Sequence, residues 1–320
     1  MTILTQRMTP ASKVCLSIPA IAALAFADLA KAQDSDGPAL CGGRRYAISA
    51  TLSSLTPAIE LSADGVAGPF LLDTGATRSS LSESAFAGPD GSVRKAAISL
   101  PGFKEGDFVL ARYDPQSTRL GIIGTDFLSL FTLQLTGNAA FLGVQACQPD
   151  ALGAEGLVPV AQDGFFSSDP SKIEAGRSNV PVVFFRLGEV RTWAQIDTGY
   201  ADSVYPHSVD INQALYARLA KSGMTLERSA DVSVETCEGR ESRRAYSVKE
   251  VPLVIENEQG KPIVQTRSFH LIVKPANGCG GIGAMTAPAA QLGASFLELF
   301  GTAVFDPKST TVWLGKNTRF

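Results

Sequence analysis

The sequence predicts a mostly-β protein built from two copies of one strand-rich unit, and three observations carry that expectation. Apolar runs of strand length, bounded by Gly, Pro and Asp-Gly turns, recur along the chain, the pattern of half-buried and buried strands. Helical periodicity is confined to short stretches and one longer segment, residues 210–221. The third observation is an ordered repeat. Asp73-Thr74-Gly75 recurs as Asp197-Thr198-Gly199, residues 124–131 (GTDFLSLF) recur as 293–300 (GASFLELF), and residues 141–143 (FLG) recur as 313–315 (WLG). Three blocks in one order mark a tandem duplication of a unit of roughly 120–140 residues.

At 320 residues the chain has length for two lobes, and 45% hydrophobic with 18% charged content is that of a folded globular protein. A formal charge of −3 offers no basic surface for nucleic acid and no polybasic run for an anionic membrane. The N-terminus is more specific. Arg7 and Lys13 flank the entry to an apolar stretch, residues 14–27, which is followed by Ala30-Lys31-Ala32. Those are the three regions of a secretory signal. The stretch contains Pro19 and is shorter than the roughly 18 residues that span a bilayer. Residues 1–32 are therefore expected to be cleaved, leaving no stable membrane anchor. Their loss removes Arg7, Lys13, Lys31 and Asp28, leaving 25 basic and 30 acidic residues and a charge of −5. Residues 33–45 are too short for a covering propeptide, so none is expected.

Export, to a periplasm or beyond the cell, places Cys41, Cys147, Cys237 and Cys279 in an oxidising compartment. Three pairings can be drawn; the one that keeps each bridge within one half is Cys41–Cys147 with Cys237–Cys279. No C-x-x-C occurs and His207 and His270 are the two histidines, so no metal site is expected.

Taken in order, residues 46–62 alternate apolar and small polar side chains, Asp64-Gly65 marks a turn, and the next strand runs through residues 69–72 into Asp73. Residues 94–111 read as a hairpin around Pro101-Gly102. A short helical turn is expected at 126–131, then strands near 133–135 and 139–144. Residues 149–180, rich in Gly, Pro and Ser, read as an interlobe linker with one strand at 157–160. It divides a first unit, 33–148, from a second, 181–320. In the second unit a strand leads from Val182 toward Asp197. Residues 210–221 form an amphipathic helix with Ile211, Leu215 and Leu219 on one face and Gly223 as its stop. Strands follow at 229–237, 244–255 and 264–274, then a short helix at 295–300 and strands at 302–305 and 311–314.

Each triplet Asp ends an apolar run, where a carboxylate is costly unless it is hydrogen-bonded or used in chemistry. The blocks 71–76 (LLDTGA) and 122–128 (IIGTDFL) resemble aspartic proteases of the retropepsin type. Residues 196–199 (IDTG), 292–297 (LGASFL) and 304–307 (VFDP) resemble the C-terminal lobe of pepsin-like enzymes. The resemblance covers nearly all of the chain beyond residue 32. It implies a bilobal aspartic-protease-like fold, with two β lobes related by a pseudo-twofold and a polypeptide substrate in the cleft between them. It further implies a monomer that needs no cofactor.

In that family two carboxylates about 3 Å apart share one proton, so that one activates water while the other polarises the scissile carbonyl. The resemblance makes Asp73 and Asp197 jointly the general base and general acid of an exported endopeptidase. It gives Thr74 and Thr198 hydrogen bonds across the lobes. Gly75 and Gly199 permit the tight turn, Ala76 is the small residue that follows, and Gly124 and Gly293 let a strand cross beneath each loop.

The second loop departs from the pattern with Tyr200, and Gln291 stands where an apolar residue precedes Leu292-Gly293. Asp202 adds a third acid, expected to be solvated. The spacing from Asp to glycine is 51 residues in the first half and 96 in the second, so insertions there alter the flap or cleft. These departures motivate an alternative, a protease-fold protein that binds or inhibits peptide without cutting it. Residues 278–283 (GCGGIG) match a dinucleotide-binding pattern, but Pro275 and Pro288 interrupt the strand and helix it needs. A mobile or disulfide-tied loop beside the cleft is expected instead.

Overall fold

The computed structural model describes residues 40–41, 45–47, 56–86, 88, 92–99, 106–111, 119–136, 140–160, 166–169, 171, 178–202, 204–205, 207–236, 239–276 and 281–316. The first half holds β1 (Arg45–Ala47), β2 (Ala58–Ala63), β3 (Val66–Leu72), β4 (Ser80–Ser82), β5 (Val93–Ala96), β6 (Ile98–Ser99), β7 (Gly106–Ala111), β8 (Gly121–Ile123), α1 (Thr125–Leu128), β9 (Thr132–Thr136) and β10 (Ala140–Gly143). α2 (Pro149–Ala154) and β11 (Leu157–Val160) follow. The second half holds β12 (Val182–Leu187), β13 (Val190–Asp197), β14 (Val209–Ile211), α3 (Gln213–Lys221), β15 (Glu227–Arg228), β16 (Val232–Thr236) and β17 (Gly239–Glu256). It continues with β18 (Pro262–Val273), β19 (Ala289–Gly293), α4 (Ala294–Leu297), β20 (Thr302–Asp306) and β21 (Thr311–Gly315). The protein is mostly β.

The described strands fall into three sheets. A seven-stranded sheet runs β5-β7-β4-β8-β3-β2-β6, and an eight-stranded one runs β12-β13-β19-β14-β18-β17-β15 with β16 on β17. Their centres repeat one pattern. β3–β8 is parallel, β8–β4 antiparallel and β4–β7 parallel; β13–β19, β19–β14 and β14–β18 follow the same order of directions. Strands enclosed on both faces carry continuous apolar runs, and Phe70, Leu71 and Leu72 are all buried, as are Ala194 and Ile196. Burying each Phe or Leu contributes roughly 1.5–3 kcal/mol. The β2–β3 hairpin turns at Asp64 and Gly65, both at positive φ (49° and 81°), the geometry an Asp-Gly hairpin turn requires.

The third sheet, β1-β10-β9-β20-β21-β11, draws strands from both halves. β9 pairs antiparallel with β20, from Leu133↔Phe305 to Thr136↔Thr302. β11 pairs with β21 from Leu157 opposite Gly315, as β1 pairs with β10 from Arg45 opposite Gly143. The expected linker therefore contains a helix and a strand of the shared sheet, and β11 stands in the second half where β1 stands in the first.

The Cys41–Cys147 disulfide is present, spanning 106 residues. Closing a loop of that length stabilises the fold by about 4–5 kcal/mol, largely through the unfolded chain. It is buried with Leu40, Leu152, Leu157, Val304 and Trp313, and it is consistent with an exported protein. Cys237, Cys279 and the signal segment 1–32 lie outside the described residues, as does the tip of the expected hairpin at Pro101-Gly102, whose strands β5 and β7 are paired. No helix among the described residues is long and apolar enough to cross a membrane.

The expected helix over 210–221 begins later. Asn212 caps α3 by accepting from the Leu215 amide at 2.9 Å, while Asp210 and Ile211 are held in β14 by Ile272 and Val273 on one side and Gln291 and Ala290 on the other. Gly223, at φ 79°, ends the helix.

Candidate active site

Each triplet Asp is delivered by the same local architecture. β3 ends at Leu72, and the Asp73 amide donates to the Ile123 carbonyl of β8 at 3.0 Å. β13 ends at Asp197, opposite Gly293 on β19. One residue beyond each crossing glycine, an amide donates to the residue after the triplet: Thr125 to the Ala76 carbonyl at 2.8 Å, Ala294 to the Tyr200 carbonyl at 2.6 Å. A Cβ at Gly124 would stand 2.7 Å from the Arg78 carbonyl, and one at Gly293 would stand 2.6 Å from that of Tyr200. Only glycine lets the strand pass so close beneath the loop.

The two loops are locked by a reciprocal set of buried hydrogen bonds. The Thr74 amide donates to Thr198 Oγ1 at 3.1 Å, and the Thr198 amide donates to Thr74 Oγ1 at 3.1 Å. Thr74 Oγ1 donates to the Ile196 carbonyl at 2.8 Å, and Thr198 Oγ1 to the Leu72 carbonyl at 2.7 Å. Gln195 adds a bond from Nε2 to the Gly75 carbonyl at 3.0 Å.

This lock brings the carboxylates together. Asp73 and Asp197 lie within hydrogen-bonding reach of one another. A methyl group at Gly75 would overlap the Asp197 carboxylate, and one at Gly199 would overlap that of Asp73. Both acids are enclosed by protein yet keep part of their surface open, as groups at the floor of a depression do. Asp73 Oδ1 accepts from the Gly75 amide at 2.7 Å and the Ala76 amide at 3.0 Å. Asp197 Oδ1 accepts from Gly199 at 2.8 Å, but the Tyr200 amide turns to the Asp197 carbonyl instead, at 3.4 Å. Gln291 supplies a second donor, Nε2 to Asp197 Oδ2 at 2.7 Å.

Burial pushes Asp73 above the usual carboxylate range, against the Asp197 hydrogen bond and the Gly75 and Ala76 amides. Burial pushes Asp197 well above it, reinforced by the charge of Asp73 and opposed by Gly199 and Lys274. Burial and the mutual repulsion of the two charges therefore favour one proton shared by the pair, which titrates as a unit.

Behind Asp197 lies a polar cluster. Lys274 is buried, and Asp210 pairs with Arg243 at 2.7 Å with both side chains almost fully enclosed. Arg243 also meets Glu241 at 2.6 Å. Burial raises Asp210 to about 6 even against Arg243 and Lys274, and burial together with Asp210 and Asp202 raises the Tyr200 phenol. Asp202 is buried rather than solvated: its Oδ1 accepts from the Val204 amide at 2.7 Å and the Tyr205 amide at 2.8 Å. Its charge acts on Tyr200, Asp210 and His270.

A cavity of about 270 Å³ opens beside Gly199, lined by Arg119 from the first half and by Tyr200, Val204, Val232 and Val234 from the second. His207 lies in a turn 3.9 Å from Glu298, and His270 lies on β18 stacked on Tyr205. Sequence reasoning missed Gln195 and Lys274 as neighbours of the site and read Gln291 only as a departure. The available signal was the recurrence of a glutamine inside an otherwise apolar strand: Gln195 and Gln291 are register partners on β13 and β19.

No family model and no curated protein matches the chain. Among solved structures, conglutin gamma, a basic 7S globulin from lupine seeds, aligns with a TM-score of 0.47 at 10% identity, over 85% of this chain and 94% of that one. A likeness so distant carries no argument about fold family or activity.

Proposed function

We propose that the chain is an exported aspartic endopeptidase of bilobal, pseudo-twofold design, with Asp73 and Asp197 as its catalytic dyad. The observation that carries this reading is the meeting of the two carboxylates across the reciprocal Thr74–Thr198 lock. The repeated strand directions around β3 and β13 support the two-lobe design, and a polypeptide is the substrate this reading of the dyad takes.

In the reaction so read, water sits between the carboxyls. The ionised carboxyl of the pair takes one of its protons as the water oxygen adds to the scissile carbonyl carbon, and the protonated carboxyl gives its proton to the carbonyl oxygen. Collapse of the tetrahedral intermediate breaks the C–N bond, the first carboxyl returning its proton to the leaving nitrogen and the second recovering one from the hydroxyl. The Gly75, Gly199 and Gln291 donors hold the carboxyls in place, and no covalent intermediate forms.

The test is cleavage of an unfolded protein by the chain lacking residues 1–32, with inhibition by pepstatin. Asp73→Asn and Asp197→Asn are each expected to reduce kcat/KM on the order of 10³-fold; undiminished cleavage in either variant refutes the reading. Tyr200, filling the second loop beside the cavity, motivates the alternative of a peptide-binding protein without hydrolytic activity. Tight statine-inhibitor binding with no hydrolysis at any pH would select it.

A further inference from the structure

The two carboxylates each accept two N–H donors, but from different sources. For Asp73 both come from its own loop, Gly75 and Ala76. For Asp197 the loop supplies only Gly199: the Tyr200 amide donates to the Asp197 carbonyl at 3.4 Å, whereas the Ala76 amide is shared between the Asp73 carbonyl, at 3.3 Å, and the carboxylate. The missing donor is replaced by Gln291 Nε2, at 2.7 Å from Oδ2. Gln291 sits on β19 opposite Asp210 of β14. The corresponding place in the first half, on β8 opposite Ser80 of β4, is Ile122, which has no donor to offer.

Behind Gln291 stands Lys274, the residue after β18, buried and linked through its amide to the Ile211 carbonyl at 2.8 Å. The glycine-rich turn that no nucleotide-binding role explains packs directly onto it. A Cβ at Gly281 would lie 3.3 Å from Lys274 Nζ and 3.7 Å from Gln291 Oε1, and one at Gly283 would lie 3.2 Å from Lys274 Cε. The small turn thus admits an ammonium and an amide side by side. The charges facing Lys274 are Arg243, Asp210, Asp197 and Glu241.

We propose that Gln291 and Lys274 are positioning residues for Asp197, the amide standing in for the absent loop donor and the buried ammonium supplying positive charge behind the carboxyl. The proposal rests on the reading of Asp73 and Asp197 as a working pair. The Lys274 charge favours ionised Asp197, as an N–H donated to a carboxylate does, and both oppose burial and the Asp73 charge, which favour the protonated form. The shared proton stays transferable instead of being trapped on one acid.

The decisive measurement uses Asp73→Asn protein, in which Asp197 titrates alone, with the aspartate carboxyls followed by carbon-13 NMR across pH. Adding Gln291→Leu, which imports the apolar character of Ile122, is expected to raise the proton affinity of Asp197 about tenfold, the effect of losing one hydrogen bond to a charged group. Lys274→Met is expected to raise it too, and Lys274→Arg to restore it. An unchanged titration in Gln291→Leu overturns the proposal. Should that variant fail to fold by circular dichroism, Gln291→Asn, which withdraws the amide from the carboxylate, carries the same expectation and the same refutation.

With Asp73 retained, Gln291→Leu is expected to move the basic limb of the kcat/KM pH profile upward, whereas loss of mere scaffolding lowers the plateau and leaves both limbs in place. If the unsubstituted chain cleaves nothing, the endopeptidase reading falls and the titration still decides this one.

Discussion

The loops at Asp73 and Asp197 are alike where they touch each other and unlike where they face away. At their contact, Thr74 and Thr198 exchange the same four bonds, and Gly75 and Gly199 each leave room for the opposite carboxylate. In the sheets behind them, Ile122 stands opposite Ser80 in the first half where Gln291 stands opposite Asp210 in the second, and there Gln291 and the charge of Lys274 act on Asp197. Even the tie from loop to following helix differs. In the first, the Ser79 amide and hydroxyl donate to Asp126 and Ser79 Oγ accepts from Gly124 at 3.0 Å; in the second, the Asp202 amide donates to Ser295 Oγ at 3.3 Å. Symmetry is kept where two carboxylates must meet, and the backing is free to diverge.

The equivalence of the two scaffolds is most severely tested at the crossing glycines. Gly124→Ala and Gly293→Ala each force a methyl group into a backbone carbonyl and are expected to cost about 3 kcal/mol or more, read by urea unfolding. A tolerated substitution on one side only would break the comparison. Thr74→Val and Thr198→Val each strand one buried donor and one buried acceptor, so each is expected to cost about 2–3 kcal/mol, the two values agreeing within about 1 kcal/mol.

The divergent backing is probed by pH. Burial raises Asp210 from the ordinary 3.8 to about 6 in the folded chain. A raised acid binds its proton more tightly when folded, so its stabilisation is complete below pH 3.8 and is lost as pH rises through about 6. Unfolding free energies measured at pH 4 and pH 7 should differ by on the order of 2 kcal/mol more in the parent than in Asp210→Asn; equal differences would remove Asp210 from the account. Smallest is the contrast at the helix tie. Ser79→Ala is expected to cost about 1–2 kcal/mol and Ser295→Ala less than about 1 kcal/mol, by thermal unfolding, because the first hydroxyl makes two short bonds and the second one long one.

Much of this was legible in the sequence because duplication writes a structural relation as a linear one. The triplets, the crossing glycines and the strands between them could be matched block to block, and the Cys41–Cys147 bridge followed from keeping bonds within one half. What was hidden depends on distant partners. Asp202 sits between Ala201 and Ser203, a context that suggests solvent, yet its side chain caps two amides downstream and is covered by tertiary packing. Lys274 looks like any lysine closing a strand; only the turn at 281–284 encloses it. β11 lies in a stretch whose composition suggests a linker, because its partner, from Val312 to Gly315, is more than 150 residues away.

The β9–β20 junction has a consequence for assembly. Under the alignment of Gly124 with Gly293, Leu133 corresponds to Thr302 and Thr136 to Phe305. Leu133 pairs with Phe305, and Thr136 with Thr302. The counterparts of the two residues in one pair therefore form the other pair, which is the defining property of an isologous dimer interface. The outer pairs, β1 on β10 and β11 on β21, extend the same relation to both edges of the sheet. In terms of quaternary structure, this sheet has within one polypeptide the self-complementary pairing that a homodimer makes between two.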